Sequence, residues 1–368
     1  MRVIFTGGGT GGHIYPIMAI IEQLKQRGLV TDEDILFVGT AQGLEAKIVP
    51  AAGVNFKTIE VQGFSSKKLL SNLTTINKFV KAVKQAKQII GDFKPDVVVG
   101  TGGYVSGATV YAAAKLGIPT MIHESNSVVG VANKFLGHYV DKICYTFDDA
   151  AKQFTEKKKL VKTGNPRSQQ VLNLSSTRFD LQDKWRLNEK IPTVLIFGGS
   201  RGALAINRVM LQSLTKLKQK PYQLIWVTGN YYYQEISEKL AGVDYGNRIK
   251  IVPYVKDMPA LLPKVTCVVA RSGATSIAEF TALGVPAILI PSPNVTHNHQ
   301  MKNALDLERA GAATVIAESD VNTNNFISSI DHILLDHKYA DEMSTASKKL
   351  GIPDASDQVI NVMKEIAK

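Results

Sequence analysis

Two stretches constrain this chain more than any other feature: VIFTGGGTGGHIYP at residues 3–16 and VLIFGGSRGALAIN at residues 194–207. Each runs from a short apolar segment, through a glycine turn, into a pattern of helical period. That order is how a βαβ unit opens, with a strand buried on both faces and paired in parallel. The alternation continues in both halves. Apolar runs at Val3–Thr6, Ile35–Val38, Val97–Gly100, Thr120–His123 and Lys142–Tyr145 predict the strands of one sheet. Runs at Val194–Phe197, Leu224–Val227, Ile249–Pro253, Thr266–Ala270 and Pro286–Ile290 predict those of a second. Helical patterns such as Ile14–Arg27 and Ala108–Leu116 lie between strands, closed by Gly28 and Gly117, the residue a helix end prefers.

The pattern breaks at Thr163-Gly164-Asn165-Pro166 and restarts after Pro192. A chain of 368 residues suits two ordinary domains. The expected division is 1–163 and 164–349, with a last helical segment, Ser356–Ala367 within 350–368, able to pack back on the first domain. The composition, 45% apolar and 20% charged, can fill two cores and carries no signature of disorder. No apolar run reaches the ~18 residues of a membrane span, and Met1-Arg2 leads straight into a strand rather than a signal peptide. The only two cysteines, Cys144 and Cys267, sit inside apolar strands, which favours buried thiols over a disulfide.

Glycines cluster at four strand ends: Gly7–Gly12, Gly100–Gly107, Gly198–Gly202 and Arg271–Ala274. After a parallel strand, the first N–H groups of the next helix favour an anion, and glycine lets a ligand approach the backbone. One such turn needs no ligand; four in two domains predict a phosphate compound. The spacing Gly7-x-Gly9-x-x-Gly12 suggests a dinucleotide, but that reading also requires an acidic residue about 20 residues on, at the end of the second strand. That strand ends in Gly39-Thr40-Ala41, with no carboxylate and no arginine cluster, so the dehydrogenase reading falls. Asp32-Glu33-Asp34 precedes its strand and belongs to the edge away from the ligand, and His297-Asn298-His299 reads as a loop, so no metal site is expected.

Seven motifs resemble, in order, the MurG family of glycosyltransferases: GGTGGHIYP (8–16), GGYVSG (102–107), HESN (123–126), TGNPR (163–167), GGSRGA (198–203), ARSGATSIAE (270–279) and NHQMKNA (298–304). The resemblance spans residues 2 to about 310. It implies an α/β fold of GT-B type, two Rossmann-like domains with parallel sheets facing a central cleft. It also implies inverting transfer of N-acetylglucosamine from UDP-GlcNAc to lipid I, the undecaprenyl-pyrophosphoryl-MurNAc-pentapeptide, giving lipid II at the cytoplasmic face of the cell membrane. UDP-GlcNAc is then a substrate, and no cofactor is implied. Carried over residue by residue, Ser200 and Ala274-Thr275-Ser276 meet the diphosphate, Val255 the uracil, Glu279 the ribose and Gln300 the sugar hydroxyls. Thr10, Gly11, Gly12 and Asn126 line the sugar and acceptor side, and Arg167 joins the substrate-binding set. The chain departs from the family's usual pattern at Ser125, at His299, and at Arg167, which directly follows Pro166.

Inverting transfer needs a base for the acceptor hydroxyl and relief of charge on the departing UDP. His13 is the preferred base because a neutral imidazole suits the task, with His123 and Glu124 as the competing candidates. Helix N-termini, with Arg201 or Arg271, are expected to meet the diphosphate. The net charge is +11, and residues 65–91 hold six lysines (67, 68, 78, 81, 84, 87) and no acid, alongside Leu69, Leu70, Leu73, Ile76, Val80 and Val83 at helical spacing. That stretch reads either as a surface helix or as a patch for an anionic membrane. Only Phe64 and Phe79 accompany it, which argues against nucleic acid. The alternatives from the same architecture are a nucleotide-sugar epimerase and, behind it, an NAD-dependent oxidoreductase.

Overall fold

The computed structural model describes residues 1–61, 69–174, 179–199 and 201–367. Among them, every strand is parallel to its neighbours, as near-continuous apolar runs require. The chain divides into two compact units, 1–169 with 354–368, and 170–353.

The first unit holds a seven-stranded sheet made of β1 (Val3–Thr6), β2 (Ile35–Gly39), β3 (Asn55–Thr58), β4 (Val97–Gly100), β5 (Thr120–Glu124), β6 (Lys142–Tyr145) and β7 (Leu160–Lys162). Their order is β3-β2-β1-β4-β5-β6-β7, so the direction of winding reverses between β1 and β4. Alternation along β1 builds a core on each face. Val3 and Phe5 pack with Ile14 and Ile17 of the helix Gly11–Gln26, and Ile4 packs with Ala86, Ile90 and Ala108 on the other side. The last helix, Ala355–Ile366, adds Val359, Ile360 and Met363 to the first of these cores. Each such side chain is worth about 1.5–3 kcal/mol when fully buried. Its Asp357 accepts hydrogen bonds from Gln23 (2.9 Å), Arg27 (2.8 Å) and Gln169 (2.9 Å), and the Ser356 hydroxyl donates to the Pro166 carbonyl at 3.0 Å. The chain is thus fastened where it leaves the first unit and where it returns.

The second unit holds six strands, β8 (Thr193–Phe197), β9 (Gln223–Val227), β10 (Ile249–Val252), β11 (Cys267–Ala270), β12 (Ala287–Leu289) and β13 (Ala313–Val315). They run β10-β9-β8-β11-β12-β13, the same reversal at the equivalent place. In both sheets the reversal opens a crevice at the carboxyl ends of the strands, where ligands of this architecture bind.

The sequence pattern does not mark β3, β7 or β13, because these edge strands are short and carry exposed or half-buried polar residues such as Asn55 and Lys162. The helices Gly11–Gln26 and Tyr104–Lys115 begin about a turn earlier than expected. Both follow glycine turns and lack a side-chain cap, and their first turns carry glycine and polar residues rather than an apolar period, although Val105, Ser106 and Gly107 of the second are buried. Both cysteines are free and fully buried, and burial pushes the Cys144 thiol up to about 12, which leaves it inert.

Candidate active site

Strand register decides which loops meet. Thr6 pairs with Val38 on one side and with Gly100 on the other, so the loops leaving β1, β2 and β4 emerge side by side. The Gly8 N–H donates to the Gly102 carbonyl at 3.3 Å, and the Thr101 hydroxyl donates to the His13 carbonyl at 2.6 Å. His13 lies half-buried between the two glycine loops. Its Nδ1 stands 2.8 Å from the Gly8 carbonyl oxygen, an acceptor only, so Nδ1 carries the proton. Nε2 keeps its lone pair, and among the described residues nothing hydrogen-bonds it. Gly102 explains how the ring fits. It has φ +120°, and a Cβ there would stand 2.9 Å from Nε2. Thr10 and Gly12 are exposed, Gly11 is half-buried, and no acidic residue occupies the first turn of their helix. Its leading N–H groups are those a helix leaves without a partner.

One residue at this edge escaped the sequence reading. The expectation that no carboxylate stands at the end of the second strand is corrected by Glu45, which is 0% exposed. It accepts from the Thr40 hydroxyl (2.7 Å), the Thr40 N–H (3.1 Å) and the Gly9 N–H (3.0 Å). Burial pushes its carboxyl up, but these donors together outweigh that and hold it below the ordinary range. Its oxygens serve the protein's own loops, not a ribose. Gly39 and Gly43 close around it, since a Cβ on either would collide with its side chain.

The HESN segment at the end of β5 is built differently. His123 is fully buried, with Nε2 donating to the Gly164 carbonyl at 2.8 Å and Nδ1 3.2 Å from the Ser125 hydroxyl. The serine that departs from the family pattern is therefore the donor to this ring. Burial holds the imidazole down to about 4. Glu124 is also buried. One of its oxygens accepts from the Asn126 N–H (3.0 Å), the other from the Gly130 N–H (3.0 Å) and the Asn133 amide (2.9 Å). Glu124 thereby orients Asn126 and shapes the loop after β5. Arg167 lies over the ring of Tyr15, 5.7 Å from its centroid, which brings it to the helix that follows the first glycine loop.

In the second unit, Phe197 pairs with Val227 and with Ala270, which sets the loops after β8, β9 and β11 in one row. Ser200 lies outside the described residues. Ala274, Thr275 and Ser276 form the first turn of the helix Ala274–Leu283, again uncapped and free of acid. Glu279 is buried in its second turn, and Val255 is buried after the exposed Tyr254. The Gln300 side-chain oxygen accepts from the Ser292 N–H at 2.9 Å, while its carbonyl accepts from the Ser272 hydroxyl at 2.8 Å. The Asn303 amide donates to the Ser272 carbonyl at 3.1 Å, so the helix His299–Arg309 is tied to the loop that leads into the turn bearing Thr275. Of the two arginines weighed for the diphosphate, Arg271 is engaged in bracing: it donates to the Ile290 carbonyl at 2.9 Å and pairs with Glu318. Arg201 is exposed.

The profile of the glycosyltransferase family 28 N-terminal domain matches residues 3–145, and that of the family 28 C-terminal domain matches residues 193–359. The chain belongs to glycosyltransferase family 28. Within this family the two profiles separate as the two sheets do, the first covering β1–β6 and the second beginning at β8. A curated relative from Lactobacillus helveticus is 74% identical over 368 residues, the whole of both chains. It is named UDP-N-acetylglucosamine--N-acetylmuramyl-(pentapeptide) pyrophosphoryl-undecaprenol N-acetylglucosamine transferase. Among solved structures, MurG of Acinetobacter baumannii has a TM-score of 0.78 at 26% identity, over 99% of each chain. A UDP-GlcNAc 2-epimerase from Neisseria meningitidis reaches a TM-score of 0.71 at 15% identity, over 99% of this chain and all of its own. That likeness is one of fold alone. The family 28 membership takes the chain away from both the epimerase and the oxidoreductase readings.

Proposed function

We propose that this family 28 glycosyltransferase moves N-acetylglucosamine from UDP-GlcNAc to the lipid-linked MurNAc-pentapeptide, with inversion at the anomeric carbon. The observation that carries this reading is the 74% identity, over the full length, to a relative named for that transfer. The donor set is the second unit's own. The uncapped turn at Ala274-Thr275-Ser276, with Ser200, takes the diphosphate; Glu279 holds the ribose hydroxyls, Val255 meets the uracil and Gln300 the sugar hydroxyls. Helix N–H groups stabilise the charge that gathers on the departing UDP without reorganising, and no metal is assigned.

The first unit supplies the base and the acceptor side, through Thr10, Gly11, Gly12, Asn126 and Arg167. His13 is assigned as base because its Nδ1–H is fixed on Gly8 and Nε2 retains its lone pair. In the transfer, Nε2 takes the acceptor hydroxyl's proton while that oxygen bonds to the anomeric carbon, and the bond to the diphosphate breaks with its electron pair leaving on UDP. Glu124 is assigned to positioning Asn126, because both its oxygens are engaged by loop donors.

No helix among the described residues is long and apolar enough to cross a membrane. A lipid-borne acceptor is then met at the cytoplasmic membrane surface by the helix Leu69–Phe93, where Lys78, Lys81, Lys84 and Lys87 are exposed beside Val80. Each such lysine contributes about 1 kcal/mol toward anionic lipid. Release of UDP from UDP-GlcNAc is expected only when a short-chain lipid I analogue is present, with UDP-GalNAc as the poor donor. Sugar epimerisation, or UDP release at the same rate without acceptor, would overturn the assignment.

A further inference from the structure

The Gly9 N–H that donates to Glu45 and the Gly8 carbonyl that accepts from His13 belong to one peptide group. That group is planar and rigid, with its N–H and C=O pointing in opposite directions. A single amide therefore has a buried carboxylate at one end, 3.0 Å from its nitrogen, and the His13 ring at the other, 2.8 Å from its oxygen. The surroundings leave this line of atoms little freedom. A Cβ on Gly8 would stand 2.5 Å from the Glu45 carboxylate, and one on Gly39 2.7 Å from its Cγ. At the far end the ring rests against Gly102. Thr40 pins the second carboxylate oxygen through both its N–H and its hydroxyl.

We propose that Glu45 is a positioning residue for the transfer reaction, acting on His13 through the Gly8–Gly9 peptide. The carboxylate turns the amide so that its carbonyl faces Nδ1, which locks the ring in the form whose Nε2 lone pair accepts the proton. Accepting the N–H also polarises the amide and strengthens its carbonyl as an acceptor, so the imidazolium formed during transfer is better held than by an unassisted carbonyl. In the familiar arrangement a carboxylate bonds Nδ1–H directly; here a peptide group is interposed. The inference rests on the reading of His13 as base.

The test uses the full chain, with nitrogen-15 spectra of His13 recorded where its imidazole is neutral, beside steady-state kinetics. The wild type is expected to show the Nδ1–H tautomer alone; comparable amounts of both tautomers would overturn the proposal before any variant is made. Glu45→Gln keeps the shape and removes the charge. It is expected to admit the Nε2–H tautomer and to lower kcat ~10- to 100-fold per folded molecule, the usual cost of losing an orienting partner, with both KM values nearly unchanged. Thr40→Val, which keeps the carboxylate and the backbone N–H on it but removes the hydroxyl from the same oxygen, is expected to move the spectrum the same way by less. A Glu45→Gln protein that loses only stability, with the His13 spectrum and kcat of the wild type, would make Glu45 a brace and nothing more. His13→Ala separates the two claims. Near-normal turnover there removes the base reading, whereas an inactive His13→Ala beside an unperturbed Glu45→Gln spectrum removes only the relay.

Discussion

His13 follows β1 and His123 lies at the end of β5 in the same sheet, and both rings meet a backbone carbonyl at 2.8 Å. Beyond that they differ in every respect that matters to chemistry. His123 is completely buried, has a partner for each ring nitrogen, and burial holds it down to about 4. His13 is half-buried, has one nitrogen committed and keeps the other. A base needs a lone pair that substrate can reach, so an imidazole satisfied on both sides has become a structural joint. Both histidines come from motifs of the same resemblance. What separates them is the second hydrogen bond, and Ser125 supplies it.

The comparison predicts where each residue should fail. The largest effect on folding belongs to His123. Removing it in His123→Ala leaves a cavity and unpaired polar groups, so denaturant unfolding should show a loss of about 3 kcal/mol or more, while turnover per folded molecule falls far less. An unchanged unfolding midpoint would break the contrast. The wild type should show the same residue in its pH dependence. Between pH 6.5 and about 4 the unfolded chain binds a proton at His123 that the folded chain refuses. Stability should therefore be full above that window and fall as pH drops through it, by roughly 3 kcal/mol when complete. A flat profile there would contradict the burial argument.

Gly102→Ala strikes the other histidine. The new Cβ at φ +120° presses on Nε2 of His13, and a misplaced catalytic group costs rate steeply, so kcat should drop about tenfold or more. The smallest effect is expected from Ser125→Ala, which removes one donor to His123. Chemical denaturation should register ~1 kcal/mol with kcat essentially kept. A large catalytic loss in this variant would mean that the HESN segment takes part in the chemistry.

Much of the fold was legible because strands such as Val97–Gly100 and glycine turns such as Gly7–Gly12 are written in consecutive residues. What lay outside reach depends on register. Gly9 and Glu45 are 36 positions apart, and only the pairing of β1 with β2 brings the carboxylate to the loop. A search for an acid at the strand end stops at Ala41, before the turn that carries Glu45 back. The partners of Arg271 were hidden for the same reason: the Ile290 carbonyl follows β12, the neighbour of β11, and Glu318 follows β13, one strand further on. Edge strands β3, β7 and β13 lacked the apolar run that betrays the central ones, since half of their surface is never buried.

The most direct test of the account is the acceptor-dependent release of UDP by His13→Ala, measured at saturating UDP-GlcNAc and lipid I analogue and scaled to folded protein. The account predicts a kcat at least ~10²-fold below wild type with the donor KM nearly kept. Turnover within a few-fold of wild type would contradict it.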